Sequence, residues 1–168
     1  MKTSARLALM AALAALLSAQ DAGVTYQRLL DADREPANWL MYSGNLQAHR
    51  YSRLAQITAE NVHRLRPAWI YQLKTTHKVE TSPLVVDGIM YFTRPPNEVV
   101  AVDAATGRRL WSYEYRLPGR TYACCGQVNR GVAILGDRLF MATLDAKVVA
   151  LDAKSGRLLW KADMANHE

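Results

Sequence analysis

"AVDAATGRRLW", residues 101–111, and "ALDAKSGRLLW", residues 150–160, are two versions of one eleven-residue pattern, set 49 residues apart. The register runs backwards without a gap. Pro83 to Phe92 lies over Val132 to Met141, and Val99-Val100 lies over Val148-Val149. A repeat of this period decides the architecture before any single residue does. Each unit starts with an apolar strand and a tight turn, Asp87-Gly88 or Gly136-Asp137, where positive φ is tolerated. A second strand follows, then a loop at Pro95-Pro96-Asn97 or Asp145-Ala146-Lys147. The third strand, Val99 to Asp103 or Val148 to Asp152, ends at Thr106-Gly107 or Ser155-Gly156, and the fourth carries Trp111 or Trp160. Four short antiparallel strands with turn chemistry between them make one blade of a β-propeller. A blade has two apolar faces and so requires neighbours.

The all-β reading therefore places two blade repeats at about residues 83–111 and 132–160. Upstream, "ITAENVHRLRPAWIYQL" (residues 57–73) reads as a divergent blade ending. Thr58 is expected to N-cap a helical turn with Val62 and Leu65 on one face, Pro67 to stop it, and Trp69 to sit on a strand like Trp111 and Trp160. Asp31 to Ser52 reads as extended and irregular. Two to three blades do not close a ring, since propellers use four to eight. The chain is thus expected to be the N-terminal part of a longer propeller.

Half of the 168 residues are apolar and about a fifth are charged, which is a globular composition. Residues 1–22 stand apart: Lys2 and Arg6 precede the apolar run Leu7 to Leu17, and small residues follow. This is the pattern of a secretory signal peptide, with cleavage after Ala19 or Ala22, and it leaves 23–168 as the mature part. The run is too short to span a bilayer. Removing Lys2 and Arg6 lowers the formal charge from +6 to +4, or to +5 when Asp21 is also removed. The remaining basic residues are scattered, so nucleic acid is not an expected partner.

Both cysteines are adjacent, in "YACCGQVNRG" (residues 122–131). Such neighbours cannot staple distant segments, and no His or Cys stands at zinc spacing. Export permits a disulfide between them; on spacing alone an incidental pair is as good a reading. The four histidines show no ligand spacing, and no nucleophile elbow, phosphate loop or zincin motif is present.

The A-x-D-x-x-T/S-G-x-x-x-W repeat resembles the tryptophan-docking motif of the quinoprotein alcohol dehydrogenases, which use pyrroloquinoline quinone (PQQ). "WLMYSGNLQAHRYSRLAQITAENVHRLRPAW" (39–69) is similar to that family's N-terminal segment, and "VETSPLVVDGIMY" (79–91) to its next block. "CCGQVNRG" (124–131) is the most specific match. The resemblance covers nearly all of the mature chain but only the N-terminal part of the family's length.

The resemblance implies an eight-bladed propeller when complete and a vicinal Cys124–Cys125 disulfide packed on one face of PQQ. Adjacent Cα atoms stand about 3.8 Å apart, below the usual disulfide range of roughly 4.4–6.8 Å, so such a ring is a rigid turn. The resemblance also makes Glu80 and Arg130 cofactor contacts, with Val128 shaping the pocket wall and Asn129 a weaker candidate. Arg130 suits quinone oxygens or a carboxylate, because guanidinium offers a planar fork of donors. The family's metal ligands, for calcium or a lanthanide, and its catalytic base belong to later blades. No catalytic or metal-binding residue is therefore assigned in this chain. The implied activity is periplasmic oxidation of an alcohol to a carbonyl by hydride transfer to PQQ, with electrons passed to a cytochrome c and the chain inactive alone. The alternative is a non-catalytic quinoprotein-like propeller serving as a scaffold or interaction module, which the Cys124, Cys125, Arg130 and Glu80 block argues against.

Overall fold

The structure is a computed structural model and describes residues 23–119, 121 and 125–166. The expected signal peptide, together with Tyr122 and Cys124, lies outside the described residues.

Two four-stranded antiparallel sheets carry the fold, in simple meander order. Blade 1 comprises β1 (Leu84–Val86), β2 (Ile89–Arg94), β3 (Glu98–Asp103) and β4 (Arg109–Glu114). Blade 2 comprises β5 (Ala133–Leu135), β6 (Arg138–Ala142), β7 (Lys147–Asp152) and β8 (Leu158–Asp163). The β1–β2 turn takes positive φ at both Asp87 and Gly88, the geometry that matches strand twist in a two-residue hairpin. In both blades the register shifts at one repeat position, between Ala101 and Val102 and between Ala150 and Leu151. The shift sets Trp111 opposite Ala101 and Trp160 opposite Ala150.

Alternation along β3 divides the core. Val99 and Ala101 join Leu84, Val86, Tyr91 and Trp111 in the layer between the two blades, where Ile134, Leu139, Met141, Val149 and Leu151 meet them from blade 2. Val100 and Val102 face the other way, with Phe92, against Trp69, Tyr71 and Leu73.

The repeat motif is a docking device, and each of its residues has a physical task. Asp103 Oδ1 accepts hydrogen bonds from Ala105 N (3.1 Å), Thr106 N (2.9 Å) and Thr106 Oγ1 (2.8 Å), closing the turn. Asp152 repeats this with Ser155 N and Oγ. The indole of the preceding unit then lies on the turn: Trp69 Nε1 donates to Ala104 O and Trp111 Nε1 to Ala153 O, each at 3.1 Å. Glycine is required beneath the ring. A Cβ on Gly107 would lie 2.6 Å from Trp69, and one on Gly156 would lie 2.4 Å from Trp111, both at positive φ.

Upstream, residues 57–73 depart from the expected blade ending. Trp69 docks as its repeat position requires, but on an irregular segment rather than a strand, because no partner strands flank it among the described residues. The expected helical turn is a single 3-10 turn, Val62–Arg64, preceded by Asn61. Thr58 contributes its carbonyl to Val62 N (2.9 Å) rather than a side-chain cap, and Val62 and Leu65 are exposed. The N-terminal segment holds a short helix, α1 (Tyr26–Leu30), capped by Thr25, and a 3-10 turn at Ala32–Arg34. It straps both blades. Val24 exchanges backbone hydrogen bonds with Gly136 of blade 2, and Trp39 does so with Val85 of blade 1. Arg28 clasps Glu35 on its own segment and Asp87 in the β1–β2 turn.

Candidate functional site

The residues singled out in the sequence fall on two segments that meet at the joint between the blades. One is the approach to β1, Glu80-Thr81-Ser82. The other is the loop Gly126–Gly131 leading into β5. Ser82 N donates to Arg130 O at 3.1 Å, which zips the two backbones together. A Cβ on Gly131, at φ +124°, would lie 2.9 Å from Ser82 O, so only glycine permits the approach.

Fifty positions apart in the chain, Glu80 and Arg130 form an ion pair, Oε2 to Nη2 at 3.0 Å. The Arg130 side chain is 62% exposed and that of Glu80 36%. The bond uses one nitrogen of a guanidinium with five N–H donors, leaving donors for an anionic or carbonyl ligand. Val128 and Asn129 are buried beneath the loop, at 8% and 6% exposure. Cys125 is exposed. Its expected bond to Cys124 lies outside the described residues. Among the described residues, a Cβ on Gly126 would meet nothing within 4 Å.

Two neighbours were not found by sequence reasoning. Tyr42 stands beside Ser82, whose side-chain hydrogen bond, followed by that of Arg50, holds the phenol below its ordinary pKa; the charge of Arg130 adds to this. Arg50 also lies over the Tyr42 ring, 5.0 Å from its centroid. Nothing in the spacing of residues 42, 50, 82 and 130 signals this cluster, which exists only because the N-terminal strap crosses β1. Among the described residues, no group of three or more His, Cys, Asp or Glu is placed to hold a metal ion. No described helix is long and apolar enough to cross a membrane.

Comparison with known proteins gives this geometry its family. Residues 39–161 match the family model described as "PQQ: Glucose/ethanol/alcohol dehydrogenase, beta-propeller domain". The chain is 42% identical over 144 residues to the dehydrogenase subunit of a quinone-type alcohol dehydrogenase from Komagataeibacter europaeus, covering 84% of this chain and 20% of the relative. It is 40% identical over 146 residues to a quinoprotein ethanol dehydrogenase from Pseudomonas aeruginosa, covering 86% and 23%. Among solved structures, a quinohemoprotein alcohol dehydrogenase from Pseudomonas putida superposes with a TM-score of 0.80 at 40% identity, over 86% of this chain and 22% of that one. A europium-containing methanol dehydrogenase gives 0.74 at 37% identity, over 83% and 25%. The chain thus spans about a fifth to a quarter of the length of the relatives it matches. With two meander blades, the tryptophan-on-glycine joint and a match over residues 39–161, the chain belongs to the PQQ-dependent alcohol dehydrogenase family and forms part of its β-propeller.

Proposed function

We propose that this chain supplies one wall of the PQQ site in a periplasmic dehydrogenase that oxidises an alcohol to a carbonyl compound and passes the electrons to a cytochrome c. Residues 1–22 are the export signal and 23–168 the propeller part. The observation that carries the reading is the Glu80–Arg130 pair, held near Cys125 in a chain of this family.

The residues present fit such a ligand. PQQ, when bound, accepts hydride from the alcohol, with a calcium or lanthanide ion as Lewis acid. Arg130 binds and orients through its planar fork, which matches a carboxylate or a pair of carbonyl oxygens. In a site closed from water its charge stabilises negative charge arising on an oxygen it touches. Glu80 holds that fork in one orientation and contacts the ligand beside it. Val128, buried below, keeps water from the underside of the loop. Cys124 and Cys125, as a vicinal disulfide, offer rigid polarizable sulfur to a flat ring. The proton-abstracting base and the metal ligands belong to blades beyond those of this chain, so the chain alone does not turn over alcohol.

Equilibrium dialysis of PQQ with Ca²⁺ against the purified chain tests this. Saturable binding, weakened about tenfold or more in Arg130→Ala, is expected, since truncating a charge-assisted contact removes roughly 1.5–3 kcal/mol. Equal binding by wild type and Arg130→Ala would overturn the assignment. Intact mass before and after reduction reads the disulfide directly, as the loss of two hydrogens in the oxidised form. Dye-linked alcohol oxidation by the chain alone would refute the missing-base reading.

A further inference from the structure

Asn129 sits between Val128 and Arg130, is almost fully buried, and has no part in the ligand contacts above. Its side chain reaches both blades. Nδ2 donates to Ala142 O at the end of β6 (3.0 Å) and, more weakly, to Asn97 Oδ1 in the β2–β3 turn (3.4 Å). Oδ1 accepts from Gly131 N at 3.1 Å, which shapes the loop on the far side of Arg130. Asn97 Oδ1 also accepts from Leu144 N (3.3 Å), so the two amides form a polar joint between the blades.

The backbone carbonyl of Asn129 extends the joint to the Glu80 segment. Thr93 Oγ1 lies 3.2 Å from Asn129 O and 3.0 Å from Thr81 Oγ1, and Thr93 N donates to Thr81 Oγ1 at 2.9 Å. A carbonyl can only accept, so the Thr93 proton goes to Asn129 O, and the Thr81 hydroxyl proton to Thr93 Oγ1. One assignment of protons satisfies all three bonds. Thr81 follows Glu80, and Ser82 N holds Arg130 O. The exposed pair is thus the outer end of two segments locked from beneath by Asn129, Thr93 and Thr81.

From this arrangement we infer that Asn129 is a positioning residue: its buried amide, anchored to both blades, sets where Arg130 meets Glu80. The inference rests on the reading of that pair as a cofactor contact but is measured apart from it. Asn97 Nδ2 in the same joint has no partner among the described residues, so the bonds of Asn129 carry the fixed geometry. Buried hydrogen bonds are stronger than those in water. Removing one anchor frees the Arg130 side chain, which is itself largely exposed.

The test uses ¹⁵N-labelled purified chain and the Nε–H signal of Arg130, assigned by its loss in Arg130→Lys. In the wild type this signal reports the contact with Glu80 and should shift in Glu80→Gln. Asn129→Ala is expected to bring it to the Glu80→Gln position. A purely structural role would lower the melting temperature and leave the signal where it was; that result would overturn the inference. Should Asn129→Ala fail to fold, the near-isosteric Thr93→Val removes the two bonds of the Thr93 hydroxyl, to Asn129 O and from Thr81 Oγ1, and keeps the one from Thr93 N to Thr81 Oγ1. It is expected to shift the signal the same way, with Thr93→Ser restoring it, and an unmoved signal in Thr93→Val would be equally fatal. Dialysis against PQQ separates the two claims. Wild-type chain that binds no PQQ while Asn129→Ala still moves the Arg130 signal would sink the cofactor reading and leave the positioning role standing.

Discussion

Blade 1 and blade 2 share one pattern but differ in burial, and the difference shows what makes a blade face a core. Leu84 and Val86 of blade 1 are 0% and 7% exposed, whereas Leu135, the repeat partner of Val86, is 48% exposed. Tyr91 is buried at 3% and its counterpart Phe140 only partly. Trp111 is docked on Gly156 with its Nε1 bonded, while Trp160 is 44% exposed and packs on Phe140 at 6.0 Å. The residue types are alike, so intrinsic preference does not distinguish the two. Blade 1 is covered on one face by blade 2 and on the other by the Trp69–Leu73 segment. Burial here belongs to the pair of faces, which is why blades are stable only in series.

The largest expected effect tests that asymmetry directly. Trp111→Ala should lower the stability of the chain by about 2–4 kcal/mol, somewhat below the range for a fully buried aromatic because the docked indole is only partly buried. Trp160→Ala should cost about 1 kcal/mol or less, as for a half-exposed position. Urea unfolding followed by circular dichroism decides it, and equal losses would break the comparison.

Next comes the glycine beneath the ring. Gly156→Ala combines φ +71° with a Cβ 2.4 Å from the Trp111 ring. It should cost about 3 kcal/mol, at the upper end for local backbone strain. Gly88→Ala, at φ +82° with nothing within 4 Å, should cost about 1–2 kcal/mol from the dihedral alone. The difference between the two midpoints measures the indole contact without altering the indole.

The smallest effect concerns the strap that joins both blades. Arg28 holds the carboxyls of Glu35 and Asp87 below their ordinary values, in each case chiefly through its side-chain hydrogen bond. Groups with depressed folded pKa contribute stability that is complete above their ordinary values, about 4.5 and 3.8, and is lost as pH falls below them. Because the pairs are partly exposed, the loss should be about 1 kcal/mol or less. Comparing wild type with Arg28→Met between pH 7 and pH 3 should show the two curves converge as pH falls. Parallel curves would exclude the strap as their cause.

The sequence alone determined the repeat, its offset and the chemistry of its turns. An Asp that caps, a hydroxyl that closes and a glycine that makes room for an indole are local requirements, legible wherever the spacing recurs. The block around Arg130 and Glu80 was legible by resemblance. Tertiary structure decided what depends on neighbours: that Trp69 docks without a strand, that Val62 and Leu65 lie in solvent, and that Tyr42 and Arg50 stand beside Ser82. It also gave Asn129 its place, since an amide that reaches Ala142 and Asn97 can be recognised only after two blades have brought those residues to one joint. Turn chemistry acts over a few residues and is written in order along the chain. Burial and cross-blade hydrogen bonds act between segments that are near only once the chain has folded.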